Sequence, residues 1–432
     1  MKKFEGKKLL LLGNNISTLD IIRYAQEQGA FVIVTDYVPY EKSAAKQMAD
    51  DYWDISTDQI DALYERAKKE KVTAVFAGVG EFNLRSAMKL CKLLGLPFYA
   101  TQEQWSILDN KENFKQLCID NGVPVTPVYY TGGSADIELP PEKFPAIVKP
   151  VDGAGAVGIS VCDNNVELRK GILAALEKSQ KKQVIVEKFI QNTNEFTAHY
   201  VFQNGHVYLF GALDRQLCEQ ENGGVPLPVA YIWDSPYLDR YIREVAPNVE
   251  KMFHAAHIHD GVAFIQMFVD DESFYIYEMG YRLPGSQVYF FAKELYGISQ
   301  LELMVDYAML GTSESIDASQ FARPYFPRPC CNLYYRLRPG KIARIEGLDE
   351  IRAMEGVLNV TLIRNVGDTI GDSKSLREVF LRAHVVGDNY EKLAALVEKM
   401  NAALHVYSDM GENMICAVLD PKILIKRGEA KQ

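Results

Sequence analysis

Along the first hundred residues, short and wholly apolar runs alternate with segments of helical period. KKLLLLG at 7–13 has the pattern of a buried strand; an amphipathic stretch opens at Ser17 or Thr18, either of which can cap a helix, and closes near Gly29. AFVIVTD at 30–36 predicts the next strand, with Asp36 at its carboxyl end, and DALYERAKKEK, TAVFAG and SAMKLCKLLG continue as helix, strand and helix. Strands that alternate with helices predict a parallel, doubly wound sheet. Gly13, Asn14, Asn15, Asp36 and the GVGE turn at 78–81 fall on its carboxyl edge, where such sheets bind ligands. A dinucleotide is disfavoured, because GNNIST offers one glycine where the pyrophosphate fingerprint has three.

The pattern then changes. A helix from Asn110 to Asn121 closes at Gly122, and a proline-rich stretch from Pro124 to Pro145 leads to the strand AIVKP, a glycine-rich loop, a helix near VELRKGILAALEKSQ and the strand QVIVEKFI. EFTAHYVFQNGHVYLFGALD predicts two strands turning at Asn204-Gly205, and FIQMFVDDESFYIYEMG a hairpin turning at Asp270 to Ser273. From about Phe326 short strands and helices mix without a catalytic motif.

Candidate chemistry sits on these elements. In AIVKPVDGAGAVGIS, Lys149 ends a strand and Gly153, Gly155 and Gly158 punctuate the loop; glycines let backbone N–H groups close on phosphate oxygens, and a lysine adds a point charge. No Lys-Ser/Thr follows, so this is not a Walker loop. VIVEKFI can offer backbone groups to an adenine edge, and Glu195, eight residues beyond Glu187, can accept from ribose hydroxyls. Strict alternation in FYIYEMG places Glu278 on the face of Ile276, partly buried and in need of a cation. Magnesium suits a carboxylate beside phosphates, with Gln266 presenting a carbonyl from the neighbouring strand; a plain Glu278–Arg282 ion pair is the alternative. Asp214 and Arg215 are expected to face the cleft, Arg215 toward substrate. His254, His257 and His259 form a metal cluster or a solvated helix end, PVAYIWDSPYLDRY a core segment or a substrate wall, and Arg336 and Arg338 structural ion pairs.

Composition narrows the class. The 432 residues carry 47 Lys plus Arg against 57 Asp plus Glu, a net charge of −10, which argues against a dedicated nucleic-acid or anionic-membrane binder. Any polyanion must be held by a few local cations. Seven scattered cysteines without a CxxC pair fit reduced thiols in a cytoplasmic protein, with the vicinal Cys330 and Cys331 read as small buried hydrophobes. The apolar LLLL run is too short for a signal core or a membrane span.

The order of the motifs carries the strongest signal: lysine and glycine loop, hinge glutamate, ribose glutamate, then a metal carboxylate followed by arginine. This resembles the ATP-grasp superfamily over residues 1–320, in its carbamoyl-phosphate-synthetase-like and amino-acid-ligase branch. GKIARIEGLDEIRAMEGV and VGDTIGD are similar to the small terminal domain of ATP-grasp amino-acid ligases. The resemblance implies an α/β chain. A doubly wound parallel domain (1–105) precedes an ATP-grasp fold of two α+β subdomains, a linker helix with lid (106–190) and a catalytic part (191–320). A small α+β domain (321–432) ends the chain.

By the same resemblance, Lys111 and Lys149 reach nucleotide phosphates and Asp152 to Gly158 form the lid loop. Glu187 and the backbone of Lys188, Phe189 and Ile190 form the adenine hinge, and Glu195 binds ribose. Gln266 and Glu278 hold magnesium (or manganese), and Arg282 steadies the transferred phosphoryl group; Glu81 and Arg215 are candidate substrate residues. One departure stands out: the family's Glu-x-Asn is Glu278-Met279-Gly280 here, so an asparagine metal ligand is missing. The implied activity is an ATP- and magnesium-dependent ligase joining a small-molecule carboxylate to an amine or thiol through an acyl phosphate. Its rivals are an ATP-binding regulatory or scaffold protein with weakened catalysis and a bicarbonate-using carboxylase or carbamoyl-phosphate-type enzyme. A homodimer is the default assembly.

Overall fold

The computed structural model describes residues 2–152, 157–190, 194–219, 226–372 and 378–430; the Lys111 side chain also lies outside the description. Strands β1 (Lys8–Leu12), β2 (Phe31–Thr35), β3 (Asp51–Trp53) and β4 (Ala74–Phe76) form the expected parallel sheet in the order β3-β2-β1-β4. Leu9 to Leu12 are buried throughout, as befits a strand covered on both faces by helices. Two details differ from expectation. The Ser17 side chain makes no cap bond; Thr18 Oγ1 instead accepts from the Asn15 amide. Asp36, expected at the ligand edge, pairs its carboxylate with the buried Lys46 at 3.2 Å.

The lid is an antiparallel sheet of β5 (Val128–Gly132), β6 (Ala146–Pro150), β7 (Ser160–Cys162) and β8 (Val184–Lys188), in the order β5-β8-β6-β7, with the helix Asn165–Lys178 packed on it. Its apolar core is separate from that of the body. The helix Lys111–Asp120 packs instead on the body: Cys118 Sγ meets Met252 Sδ at 3.5 Å, and Val125 bridges to Ile276.

The body is built on β9 (Asn194–Gln203), β10 (His206–Cys218), β11 (Leu227–Trp233), β12 (Gly261–Val269) and β13 (Phe274–Gly280). Both predicted hairpins form. Asn204 (φ 53°) and Gly205 (φ 78°) supply the two positive φ angles of a tight turn, and the Asp270 amide bonds Ser273 O at 3.1 Å.

The last part contributes β14 (Cys330–Leu337), β15 (Gly340–Glu346), β16 (Val357–Leu362), β17 (Thr369–Ile370), β18 (Val379–Val386), β19 (His405–Ser408) and β20 (Ile415–Ala417). Because β14 pairs with β11, one sheet runs β13-β12-β9-β10-β11-β14-β18-β16, with β20 alongside β14. The expected boundary at 321 therefore separates segments that share a sheet. Among the described residues, no helix is long and apolar enough to cross a membrane.

Two buried histidines lie in this sheet, His199 on β9 and His384 on β18. Burial holds the first down at about 3 and the second at about 4. Both stay neutral in the native state while their unfolded counterparts protonate near 6.5. Stability is therefore unaffected by them above that pH and falls as pH drops from 6.5 toward 4, by up to about 1.4 kcal/mol per pH unit for each. Urea unfolding at pH 7.5, 6 and 5 should show H384Q with a shallower loss than the parent chain; an unchanged slope would mean that His384 titrates normally in the fold.

Candidate active site

The cleft between lid and body is organised around Glu187, which ends β8 only 2% exposed. Its Oε2 accepts from Lys149 Nζ at 2.9 Å, and Lys115 Nζ closes on Oε1. A buried carboxylate between two ammonium groups is compensated, and it fixes both lysines at the lid–body junction. Lys115 escaped the sequence reading; four residues after Lys111 it lies on the next helical turn, the spacing that could have flagged it. Lys149 also stands 5.9 Å from the ring centre of Tyr277, so the lid's lysine faces β13 of the body.

The expected adenine hinge is only partly available. The Lys188 amide donates to Pro127 O at 2.9 Å and the Phe189 amide to Pro145 O at 3.1 Å, so neither is free for a base. The Ile190 amide donates to no backbone carbonyl among the described residues. Asp152 is also reassigned: its carboxylate accepts from Ser179 Oγ at 2.6 Å and from the Gln180 and Lys181 amides, pinning the start of the lid loop to the end of a helix. Gly158, at φ 76°, sits where a Cβ would come within 3.0 Å of Pro150. Gly153 and Gly155 lie outside the described residues.

On the body, Gln266 and Glu278 stand directly opposite each other across β12 and β13. The strict alternation expected for FYIYEMG fails here. Gln266 pairs with Glu278 but Met267 pairs with Ile276, so Tyr277 is the extra residue of a β-bulge. The bulge keeps Ile276 fully buried while Glu278 is exposed, not half-buried. Tyr277 meets Phe268 at 4.7 Å between ring centres and accepts from Arg215 Nη1 at 3.2 Å. Arg215 in turn forms an ion pair with Glu195, its cross-strand neighbour, so the ribose candidate is already held by a cation. Asp214 points the other way and binds Arg427 of the terminal helix.

Gly280 has a local cause. A Cβ there would lie 2.5 Å from Cζ of Phe264, the residue paired with it on β12. The ring occupies the space an asparagine would need. Among the described residues no cluster of three His, Cys, Asp or Glu could hold a metal, which also disposes of the His254, His257 and His259 cluster. Gln266 and Glu278, cross-strand neighbours in this register, carry oxygen donors of the kind magnesium takes beside phosphates and water.

Arg282 does not pair with Glu278. Its Nε and Nη2 donate to Glu81 Oε1 at 3.1 and 2.9 Å, reaching from just beyond β13 to the first turn of the helix Glu81–Leu94. Together they line a narrow cleft with Trp105, Leu108, Asp109, Met279, Gly280 and Tyr281. A cation–aromatic stack links the body to the last domain: Arg382 lies 4.8 Å over Tyr334, Tyr334 packs on Tyr231 at 4.7 Å, and Arg215 lies 5.6 Å over Tyr231. Arg336, 3% exposed, has no ion pair or side-chain hydrogen bond among the described residues, contrary to its reading as a structural ion pair. The vicinal Cys330 and Cys331 are buried with their thiols pushed up, as inert packing residues should be.

Comparison with known proteins agrees with this layout. Residues 138–217 match the family described as D-ala D-ala ligase C-terminus, and residues 334–409 match L-amino acid ligase C-terminal domain 2. Both matches indicate an ATP-grasp ligase. The chain superposes on the L-amino acid ligase from Bacillus licheniformis with a TM-score of 0.77 at 20% identity, over 94% of this chain and 99% of that one. Phosphoribosylglycinamide synthetase from Anaerococcus prevotii follows at 0.72 and 16%, over 93% and 100%. The carbamoyl phosphate synthase large chain of Thermotoga petrophila is 22% identical over 395 residues, 84% of this chain but 34% of that protein. The chain thus spans about a third of that relative, and 20% of the corresponding Methanospirillum hungatei protein.

The Phe264–Gly280 contact yields a test. G280N should lose about 1–3 kcal/mol through overpacking and gain no divalent-metal affinity. In the F264A/G280N double variant, where the ring is gone, the asparagine can reach the metal and Mn²⁺ affinity should rise. Titration of Mn²⁺ by its electron paramagnetic resonance signal decides; tighter binding in G280N alone would contradict the steric account.

Proposed function

We propose that the chain is an ADP-forming carboxylate–amine ligase working through an acyl phosphate. The observation that carries this reading is the convergence of the lid's Lys149, held by Glu187, on the strand that presents Glu278 opposite Gln266, with Arg282 at that strand's exit. Cations, a glycine loop and a metal-type carboxylate pair on two hinged sheets suit phosphoryl transfer, in which positioning and charge neutralisation do most of the catalysis.

In this reading a carboxylate oxygen of the substrate attacks the γ-phosphorus, the bond to the bridging oxygen breaks, and ADP leaves. An amine nitrogen then attacks the acyl carbon and phosphate departs. Lys111 and Lys149 bind the phosphates, the Ile190 amide meets the adenine edge, and Arg282 steadies the transferred group. Gln266 and Glu278 would hold magnesium, which neutralises phosphate charge. Arg336, buried without an ion pair among the described residues, and Arg382 on the neighbouring strand are cations that suit an anionic substrate. Among the similar solved structures, the L-amino acid ligase from Bacillus licheniformis favours the amine over a thiol as acceptor. Others are biotin carboxylases, one with MgADP and bicarbonate, which keeps bicarbonate as a second candidate for the activated acid and fits ATP with magnesium as the cofactor pair. One of these was crystallised as a dimer, in line with the homodimer expected here.

ADP release should require magnesium and an organic acid from a panel that also includes bicarbonate. K149M should slow it by about 100-fold or more, the order expected for a lost charge contact in the transition state. Release driven by bicarbonate alone would favour the carboxylase, and nucleotide binding without stimulated release by any acid would favour a regulatory protein.

A further inference from the structure

The two lysines that meet Glu187 are not equivalent. Lys115, on Oε1, comes from the helix Lys111–Asp120 on the body; its side chain is 7% exposed, and its Nζ stands 3.5 Å from Thr126 O. Lys149, on Oε2 at 2.9 Å, comes from the lid strand β6; its side chain is 16% exposed and faces Tyr277 across the junction. An ammonium group carries three donors, so Lys149 can turn one of them to an anion entering between lid and body. The more deeply buried Lys115 is held on the far side of the carboxylate. One buried acid is thus shared by a cation that can reach a ligand and a cation that cannot.

We propose that Lys115 is a positioning residue for nucleotide binding: it compensates the charge of Glu187 so that the Lys149 ammonium is available to phosphate. The assignment rests on the reading of Lys149 as a phosphate lysine and goes beyond it, because Lys115 acts through Glu187 and touches no phosphate itself.

The argument is one of competition. Glu187 and a phosphate both attract Lys149, and away from bulk water the attraction of a carboxylate is strong. If Lys149 were the only cation on Glu187, giving part of it to a phosphate would leave a buried carboxylate poorly compensated, and that cost would oppose binding. With Lys115 on the other oxygen the charge stays paired, and Lys149 can be shared at little cost. The same position on the body helix keeps Glu187, and with it the end of β8, in register with the body. A purely structural cation at 115 would differ in one respect. Its loss would weaken every ligand of the cleft alike, whereas loss of a positioning residue falls on the phosphate part alone.

Equilibrium dialysis of the full chain against ADP and against adenosine, both with magnesium, separates the two roles, since the ratio of the affinities isolates what the phosphates contribute. K115M should lower that ratio about tenfold, the order of one weakened hydrogen bond between charged groups, and K115R should recover most of it. E187Q removes the competing carboxylate, so K115M/E187Q should show the same ratio as E187Q. That pair replaces both buried charges by neutral groups and decides the matter even where K115M alone fails to fold. An unchanged ratio in folded K115M would make Lys115 a structural cation. A tenfold fall from E187Q to K115M/E187Q would mean that Lys115 acts on the phosphates directly; either result overturns the assignment. K149M tests the underlying reading: no ADP binding by the parent chain, or a parent-like ratio in K149M, would overturn Lys149 as a phosphate lysine, and this assignment with it.

Discussion

The segment from Arg282 to Val288 ties the domains together. Arg282 reaches Glu81 of the first domain, and Gln287 Nε2 donates to Ile16 O at 3.1 Å and to Asp20 at 3.3 Å in the same domain. From the last domain, Asn332 Nδ2 donates to Ser286 O at 2.7 Å, His384 Nε2 meets the same oxygen at 2.8 Å, and Arg382 binds Gly285 O. The loop that leaves β13 thus finds its backbone partners in the last domain, while its side chains reach the first domain and, through Gln287 Oε1 accepting from Thr361 Oγ1 at 3.3 Å, the last as well. Buried backbone carbonyls must be satisfied, so the loop's path, and with it the position of Arg282, depends on both flanking domains being in place. The first domain and the body also share one apolar core, with Tyr99 edge-on to Tyr281 and bonded to its carbonyl at 2.9 Å.

The lid stands apart, with its own core, and meets the body through charge. Lys149 and Glu187 belong to the lid sheet, Lys115 to the helix packed on the body, so the three-group cluster straddles the junction. An ion triplet is well suited to a moving joint. Its partners can exchange when a phosphate enters, whereas interdigitated apolar side chains would have to unpack.

Much of this was legible from the sequence because it is local. Periodicity located the parallel sheet, Asn204-Gly205 and Asp270 to Ser273 located the hairpins, and the order of lysine, glycine and glutamate motifs pointed to the superfamily. What was not legible depends on contacts between distant segments. The bulge at Tyr277 reverses the burial of Glu278, yet it is visible only in the pairing of β13 with β12. The reason for Gly280 is the ring of Phe264, sixteen residues away in sequence and adjacent in the sheet. Amides of Lys188 and Phe189 are consumed by proline carbonyls from the linker, and Asp36 and Asp152, attractive as ligands in isolation, are occupied by Lys46 and by a helix end.

The central claim is that a substrate carboxylate is activated as an acyl phosphate. Its most direct measurement is the fate of oxygen in a substrate acid labelled with ¹⁸O at the carboxyl group, turned over with unlabelled ATP and an amine. Attack of the carboxylate on the γ-phosphorus followed by amine displacement transfers one labelled oxygen to inorganic phosphate in each turnover, which mass spectrometry reads directly. Labelled phosphate in a one-to-one ratio with amide product is the predicted result; product formed with unlabelled phosphate would contradict the account.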